Sequence, residues 1–178
     1  MVQNKKGIAK ERIFAFIDSQ NLFLGIKSLG WELDYKKFYI YLQQKYSVDK
    51  VFMYIGFIEE YQSLYDFLTL AGFELIFKNT KRVGKGKNDI KGNIDVDLTV
   101  DVINRLVNYD RGIFVSADGD FCALYDYIIE KGKSITILIP NKKKYSIFLT
   151  KYSKSLRFMN DLDRKLGLDV KKPVIKIE

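Results

Sequence analysis

The chain has 178 residues, 47% of them hydrophobic, enough to give a single domain a sizeable core and to exclude a disordered protein. It holds no histidine and one cysteine, Cys122, so triads with a histidine base, histidine-built zinc hydrolases, intramolecular disulfides and cysteine-rich zinc sites all fall away. The balance of 30 basic against 22 acidic residues, a net charge of +8, suits a partner rich in phosphate. No stretch approaches ~20 apolar residues. The opening MVQNKKGIAKER lacks the apolar segment of a signal peptide, so a cytoplasmic protein is expected.

Taken in order, residues 12–17 read as a first strand, a continuous apolar run of the buried parallel type. Ser19 is placed to cap a helix over 21–29 that Gly30 closes, and Asp34 to cap a second helix through Lys45. Residues 50–57, β-branched and aromatic, form the second strand; 59–71 a helix stopped by Gly72; 73–77 the third strand. A polar stretch over 78–93 then carries six cations, Lys78, Lys81, Arg82, Lys85, Lys87 and Lys91. A helix over 94–107 follows, with Ile94, Leu98, Val102 and Leu106 on one stripe. The fourth strand is 112–117, the next helix 121–130, the fifth strand 134–139 with Pro140 as its stop. A short helix over 145–152 and a sixth strand over 155–159 complete the pattern. Strands alternating with helices predict α/β architecture in three layers, a mainly parallel sheet of five or six strands with helices on both faces. Right-handed crossovers gather the carboxyl ends of its strands along one edge.

Acids collect at that edge. Asp18 ends the first strand, Asp118 and Asp120 follow the fourth as a D-x-D around Gly119, and Asp95 opens the helix after the basic stretch. Ligands of open α/β sheets bind beyond the carboxyl ends of the strands. Two unit charges 4 Å apart interact by about 4 kcal/mol at an effective dielectric of ~20, so carboxylates gathered there call for a cation. An all-oxygen set suits Mg2+ or Mn2+. Between positions 89 and 120 stand seven aspartates and no glutamate, and the shorter stem fixes a ligand more tightly. Asp97 and Asp101 are possible additional acids: they lie four apart on the same helix face, where like charges destabilise unless something compensates. Asn21, in the first turn after Asp18, is placed to orient a water or phosphate oxygen. In the basic stretch Lys91 stands four residues before Asp95, and with Lys81, Arg82, Lys85 and Lys87 it is a candidate for binding substrate phosphates. Trp31 and Tyr35 are candidates for base stacking, and Lys142, Lys143 and Lys144 extend the basic rim. Cys122, at an apolar helix start, reads as a core residue. The residues alone therefore describe a metal-dependent enzyme acting on phosphates.

The segments FIDSQNL, KGNIDVDLTVD and VSADGDF, in that order, resemble the NYN domain, a branch of the PIN-like nucleases that includes the LabA-like proteins. The resemblance spans about residues 12–160. It implies a Rossmann-like fold of the PIN-like type and a Mg2+- or Mn2+-dependent ribonuclease that cuts RNA phosphodiesters internally. On its motifs Asp18, Asp95, Asp118 and Asp120 form the metal-binding and catalytic set, with Asn21 and Lys91 as accessory residues. Ala117 departs from the S-G/N-D-x-D-F pattern beside an intact D-x-D. The domain is assigned to 12–168, with an N-terminal extension over 1–11 and a C-terminal tail over 169–178. The partner implied is RNA, single-stranded or structured, with tRNA and mRNA among the options and no membrane. The aromatic content leaves room for a homodimer interface.

Other enzymes on related folds fit less well. A haloacid-dehalogenase phosphatase needs an acid where Gln20 stands, a Toprim site a glutamate where Asp18 stands, and a dinucleotide binder a G-x-G-x-x-G that DSQNLFLG does not supply. A response-regulator receiver needs neighbouring acids after the first strand. The rival of weight is a non-catalytic RNA-binding or regulatory protein on the same fold.

Overall fold

In the computed structural model, the structure describes residues 10–78, 81–82, 90–91 and 94–169. Six parallel strands form the central sheet: β1 (Ile13–Asp18), β2 (Lys50–Gly56), β3 (Glu74–Lys78), β6 (Arg111–Val115), β7 (Ser134–Ile139) and β8 (Leu156–Phe158). Within the basic stretch, read from sequence as loop, Lys81–Arg82 (β4) and Ile90–Lys91 (β5) pair as a short antiparallel ladder with Lys81 opposite Lys91.

The sheet order is β3-β2-β1-β6-β7-β8. From β1 the chain steps outward twice through β2 to β3. It then crosses back to the other side of β1 and steps outward again through β6, β7 and β8. Helices α1 (Ser19–Lys27), α2 (Tyr35–Tyr46) and α3 (Gln62–Ala71) pack on one face, against Ile13, Ala15, Ile17, Val51 and Met53. Helices α4 (Ile94–Asn104) and α5 (Cys122–Glu130) pack on the other, against Phe14, Phe16, Phe52 and Phe114. The period-two alternation of each strand sorts its residues between the two cores, and β1, β2 and β6 send their phenylalanines to the α4–α5 side. On the aromatic side Phe16 stacks between Phe52 and Phe114, at ring-centroid distances of 5.6 and 5.3 Å. Because the connections on the two sides of β1 lie on opposite faces, the segments leaving the paired ends of β1 and β6 part toward opposite faces and leave a crevice beyond the strand ends.

Local details differ from the sequence reading by small steps with physical causes. Asp18, rather than Ser19, caps α1: its Oδ1 accepts from the Asn21 N–H at 3.0 Å, so one residue both ends the strand and starts the helix. Asp34 caps α2 as expected, accepting from the Lys37 N–H at 3.1 Å. Gly72 ends α3 with φ 111, a left-handed conformation under the Tyr39 ring that a Cβ would strike. The helix expected over 145–152 is instead a 3-10 segment, Ile147–Ser155. Among the described residues no helix is long and apolar enough to cross a membrane.

Candidate active site

Three segments that are far apart in sequence meet at the β1/β6 crevice. The β1–α1 turn brings Asp18, the first turn of α4 brings Asp95, and the turn after β6 brings Asp118 and Asp120. One carboxylate oxygen from each of Asp95, Asp118 and Asp120 lies within 4.8 Å of the others. Asp18 is buried beside them. Its carboxyl is pushed up to about 6 by burial and by the charges of Asp95 and Asp118, against the opposing pull of the Asn21 and Gln20 N–H groups. The carboxyl of Asp95 is raised as well, by burial and then by Asp118 and Asp120, with Lys78 pulling it back down. Asp18 and Asp95 thus sense their acidic neighbours electrostatically.

The backbone around them is tied together. Asn21 Oδ1 accepts from the Ala117 N–H at 2.8 Å and fastens the DSQN turn to the SADGD turn. The buried Ser116 Oγ accepts from the Asp118 N–H at 3.1 Å, and Asp118 Oδ1 accepts from the Asp120 N–H at 2.9 Å. A turn closed on its own carboxylates in this way holds both acids toward one point. Gly119 between them has no room for a Cβ, which would overlap the Ser146 side chain.

The possible additional acids each make contacts of their own. Asp101 Oδ2 accepts from the Tyr54 hydroxyl at 2.6 Å and from Arg105 Nε at 2.7 Å, and the Arg105 guanidinium lies 4.0 Å from the centre of the Phe52 ring. That compensates the like-charge spacing noted in the sequence, and it commits Asp101 to the α4–β2 interface. Asp97 is exposed and lies 3.5 Å from Lys78 Nζ. Lys78, the last residue of β3, is buried, and Nζ has no hydrogen-bond partner among the described residues. As a cation beside Asp95 and Asp97 it belongs to the site's electrostatics. The sequence reading counted it only among the loop cations; its signal was a lysine ending an apolar strand.

Of the candidate phosphate binders, Lys81, Arg82 and Lys91 lie on the β4–β5 ladder, and Lys85 and Lys87 fall outside the described residues. Trp31 and Tyr35 are not free for stacking: both pack against the core, Tyr35 edge-on to Phe73 at 6.3 Å between ring centres. Cys122 is half-buried against the aromatic core, and burial pushes its thiol up, away from the reactive thiolate.

A doubly wound sheet whose switch point carries carboxylates in place of a glycine-rich phosphate loop defines an acid-site α/β domain, distinct from the dinucleotide binders. The family model of the NYN domain matches residues 12–158, and the chain belongs to that family. Low amplitude and bright protein LabA of Synechococcus elongatus is 24% identical over 135 residues, 71% of this chain and 73% of that one. The crystal structure of a Vibrio parahaemolyticus protein of unknown function superposes with a TM-score of 0.74 at 25% identity, covering 92% of this chain and 99% of that one. A slighter likeness, with a TM-score of 0.37 at 17% identity, is to the zinc-bound T5 5'-exonuclease, over 71% of this chain and 55% of that one, too little to carry fold or function.

Proposed function

We propose that this NYN domain is a metal-dependent endoribonuclease, hydrolysing RNA phosphodiesters at the β1/β6 crevice. The observation that carries the reading is the meeting of carboxylates from separate segments: ligand atoms of Asp95, Asp118 and Asp120 within 4.8 Å, with Asp18 held beside them at an electrostatic cost. Like charges raised in pKa by burial and by one another at a sheet's switch point are a signature of a functional site. The donor set fits Mg2+ or Mn2+: it is hard oxygen throughout, and the chain has no histidine to favour zinc. Asp18, Asp95, Asp118 and Asp120 would hold the ion. When bound, such an ion polarises a water and offsets charge developing on the phosphate.

The chain's own residues do the rest. Asn21, fixed through Oδ1 to the Ala117 N–H, is positioned by that bond to present its amide to a water at the cluster. Lys91, with Lys81, Arg82, Lys85 and Lys87, holds the backbone of the substrate by charge. The setting we propose is cytoplasmic, on tRNA or mRNA.

The test is cleavage of labelled single-stranded and structured RNA, with single-stranded DNA alongside, in Mn2+, Mg2+ and EDTA, for wild type and Asp118→Asn. Cleavage that needs metal and is absent from the variant supports the reading. Salt-sensitive RNA binding with no cleavage in either metal would replace it with a non-catalytic RNA-binding protein on the same fold.

A further inference from the structure

Two of the most exposed large apolar side chains among the described residues are neighbours in sequence and sit beside the acid turn. Ile147 is 73% exposed and Phe148 70%. Their orientation follows from the 3-10 segment that begins there. Three residues per turn aim Leu149 and Tyr152 into the aromatic core, and the two residues before Leu149 are left facing outward.

The loop that carries them is clamped to the site. The Ser146 N–H donates to the Ala117 carbonyl at 2.9 Å. A Cβ built on Gly119 would stand 3.2 Å from Phe148 Cδ2, so the ring lies against the backbone between Asp118 and Asp120. Upstream, the buried Asn141 accepts from the Lys143 N–H through Oδ1 at 2.8 Å and donates from Nδ2 to Ser28 Oγ at 2.8 Å. Asn160 Oδ1 accepts from the Lys142 N–H at 2.8 Å. Between these anchors Lys142, Lys143 and Lys144 are all exposed. One fixed loop thus presents three cations and then an open aromatic face, on the β7 side of the acid cluster.

Resting on the nuclease reading above, we propose that this loop is a binding subsite for single-stranded nucleic acid: Phe148 stacks on the base next to the phosphate held at the aspartates, and Lys142, Lys143 and Lys144 track the adjoining backbone. Charge decides the occupant. A second copy of this chain also carries +8 and would bring its own lysines against these three, whereas a polyanion with π faces complements both halves of the loop. Stacking on a ring tolerates every base, so the subsite sets strand position rather than sequence. The role imagined for Trp31 and Tyr35 thereby falls to a residue on the opposite face of the sheet.

The experiment measures binding of a labelled single-stranded RNA and of an abasic strand of equal length to the full chain, in EDTA so that nothing turns over. Phe148→Ala should weaken RNA binding about tenfold and leave the abasic strand unaffected, while Phe148→Trp keeps wild-type affinity. Replacing Lys142, Lys143 and Lys144 together by Gln should weaken both strands and reduce the slope of log affinity against log salt by about 2. Circular dichroism confirms that the exposed substitutions leave the fold intact. The proposal is overturned if Phe148→Ala binds RNA like wild type, if it weakens both strands alike, or if its main effect is to split a dimer in sedimentation. Wild type that binds neither strand in EDTA removes this proposal alone, because the metal-free aspartates repel phosphate; wild type that neither binds nor cuts RNA in Mn2+ removes the nuclease reading with it, and wild type that binds and cuts RNA beside an indifferent Phe148→Ala removes this one alone.

Discussion

The two edges of the central sheet treat the same residue type in opposite ways. At the amino edge Asp49 precedes β2 and Asp110 precedes β6. Asp49 accepts from the Ile13 N–H at 2.9 Å and from Lys10 Nζ at 2.6 Å. Asp110 accepts from Arg12 through its backbone N–H, Nε and NH2 group, all near 3 Å, and from Lys133 Nζ at 3.4 Å. Both carboxyls are held below the ordinary range by these donors. At the carboxyl edge Asp18 and Asp95 are pushed up instead, by burial and by their own neighbours. Acids at the first edge staple strand starts together. Those at the second are held against their electrostatics, the mark of a site kept for use rather than for stability.

The largest effect should come from the carboxyl edge and be confined to activity. Outer-shell partners of a metal ligand alone are worth 10–100-fold, so Asp118→Asn, a ligand in the reading above, should lower cleavage by at least about 100-fold. Asp49→Asn should leave the rate within a factor of about two. Single-turnover cleavage in Mn2+ reads both, and equal losses at the two edges would erase the contrast.

Next comes stability, with the sign reversed. Asp18→Asn keeps an oxygen to cap α1 and removes the buried charge. The unfolded carboxyl titrates near 3.9 and the folded one near 6. The folded form therefore binds protons more tightly, and ionisation costs wild type stability as pH rises from about 4 through 6. In EDTA at pH 8 the variant should be more stable by on the order of 1–2 kcal/mol, a gain that vanishes near pH 4. Millimolar Mg2+ or Mn2+ should raise the melting temperature of wild type and not of the variant. A variant less stable than wild type at pH 8 would mean that Asp18 belongs with the staples.

What the sequence disclosed follows the same division. The buried inner strands β1, β6 and β7 are nearly continuous apolar runs and so were readable, the others following from β-branched and aromatic content between turn signals, and an acid ending such a run is visible without knowing its partners. The contacts that sort the acids into roles were not, because they are non-local. Asp101 reads as a ligand until Tyr54, 47 residues away, is seen donating to it. Lys78 reads as one loop cation among six until it is seen buried beside Asp97. Phe148 hides in SIFL, which has the composition of a buried helix; only the tighter 3-10 turn decides that Leu149 goes in and Phe148 out. Strand order fixes which turns meet, and it is set by the crossover near α4 rather than by any single segment.

Asp101 offers an intermediate test, an acid at the carboxyl half of the molecule that behaves like one at the amino edge. Tyr54→Phe removes a buried hydrogen bond to a charged group and should cost about 1–2 kcal/mol. Arg105 still pairs with Asp101, so cleavage should be preserved. Denaturant midpoints and rates on one preparation check this. A loss of activity beyond the loss of fold would return Asp101 to the site.

Asp110→Asn should have the smallest effect, because the pair it breaks is exposed and solvent screens it. Its pH dependence must run opposite to that of Asp18. The folded Asp110 carboxyl lies well below its unfolded value, so its contribution is complete above about pH 4, declines below that, and is lost as the pH falls through the lower folded value. The variant should therefore melt slightly below wild type at pH 7, draw progressively closer to it as the pH falls below about 4, and converge with it in molar salt. Melting curves for Asp18→Asn and Asp110→Asn over one pH series would then diverge from wild type in opposite directions above pH 6. Should both variants fall below wild type there, the carboxyl edge is stabilised like the amino edge, and the electrostatic case for a metal site goes with it.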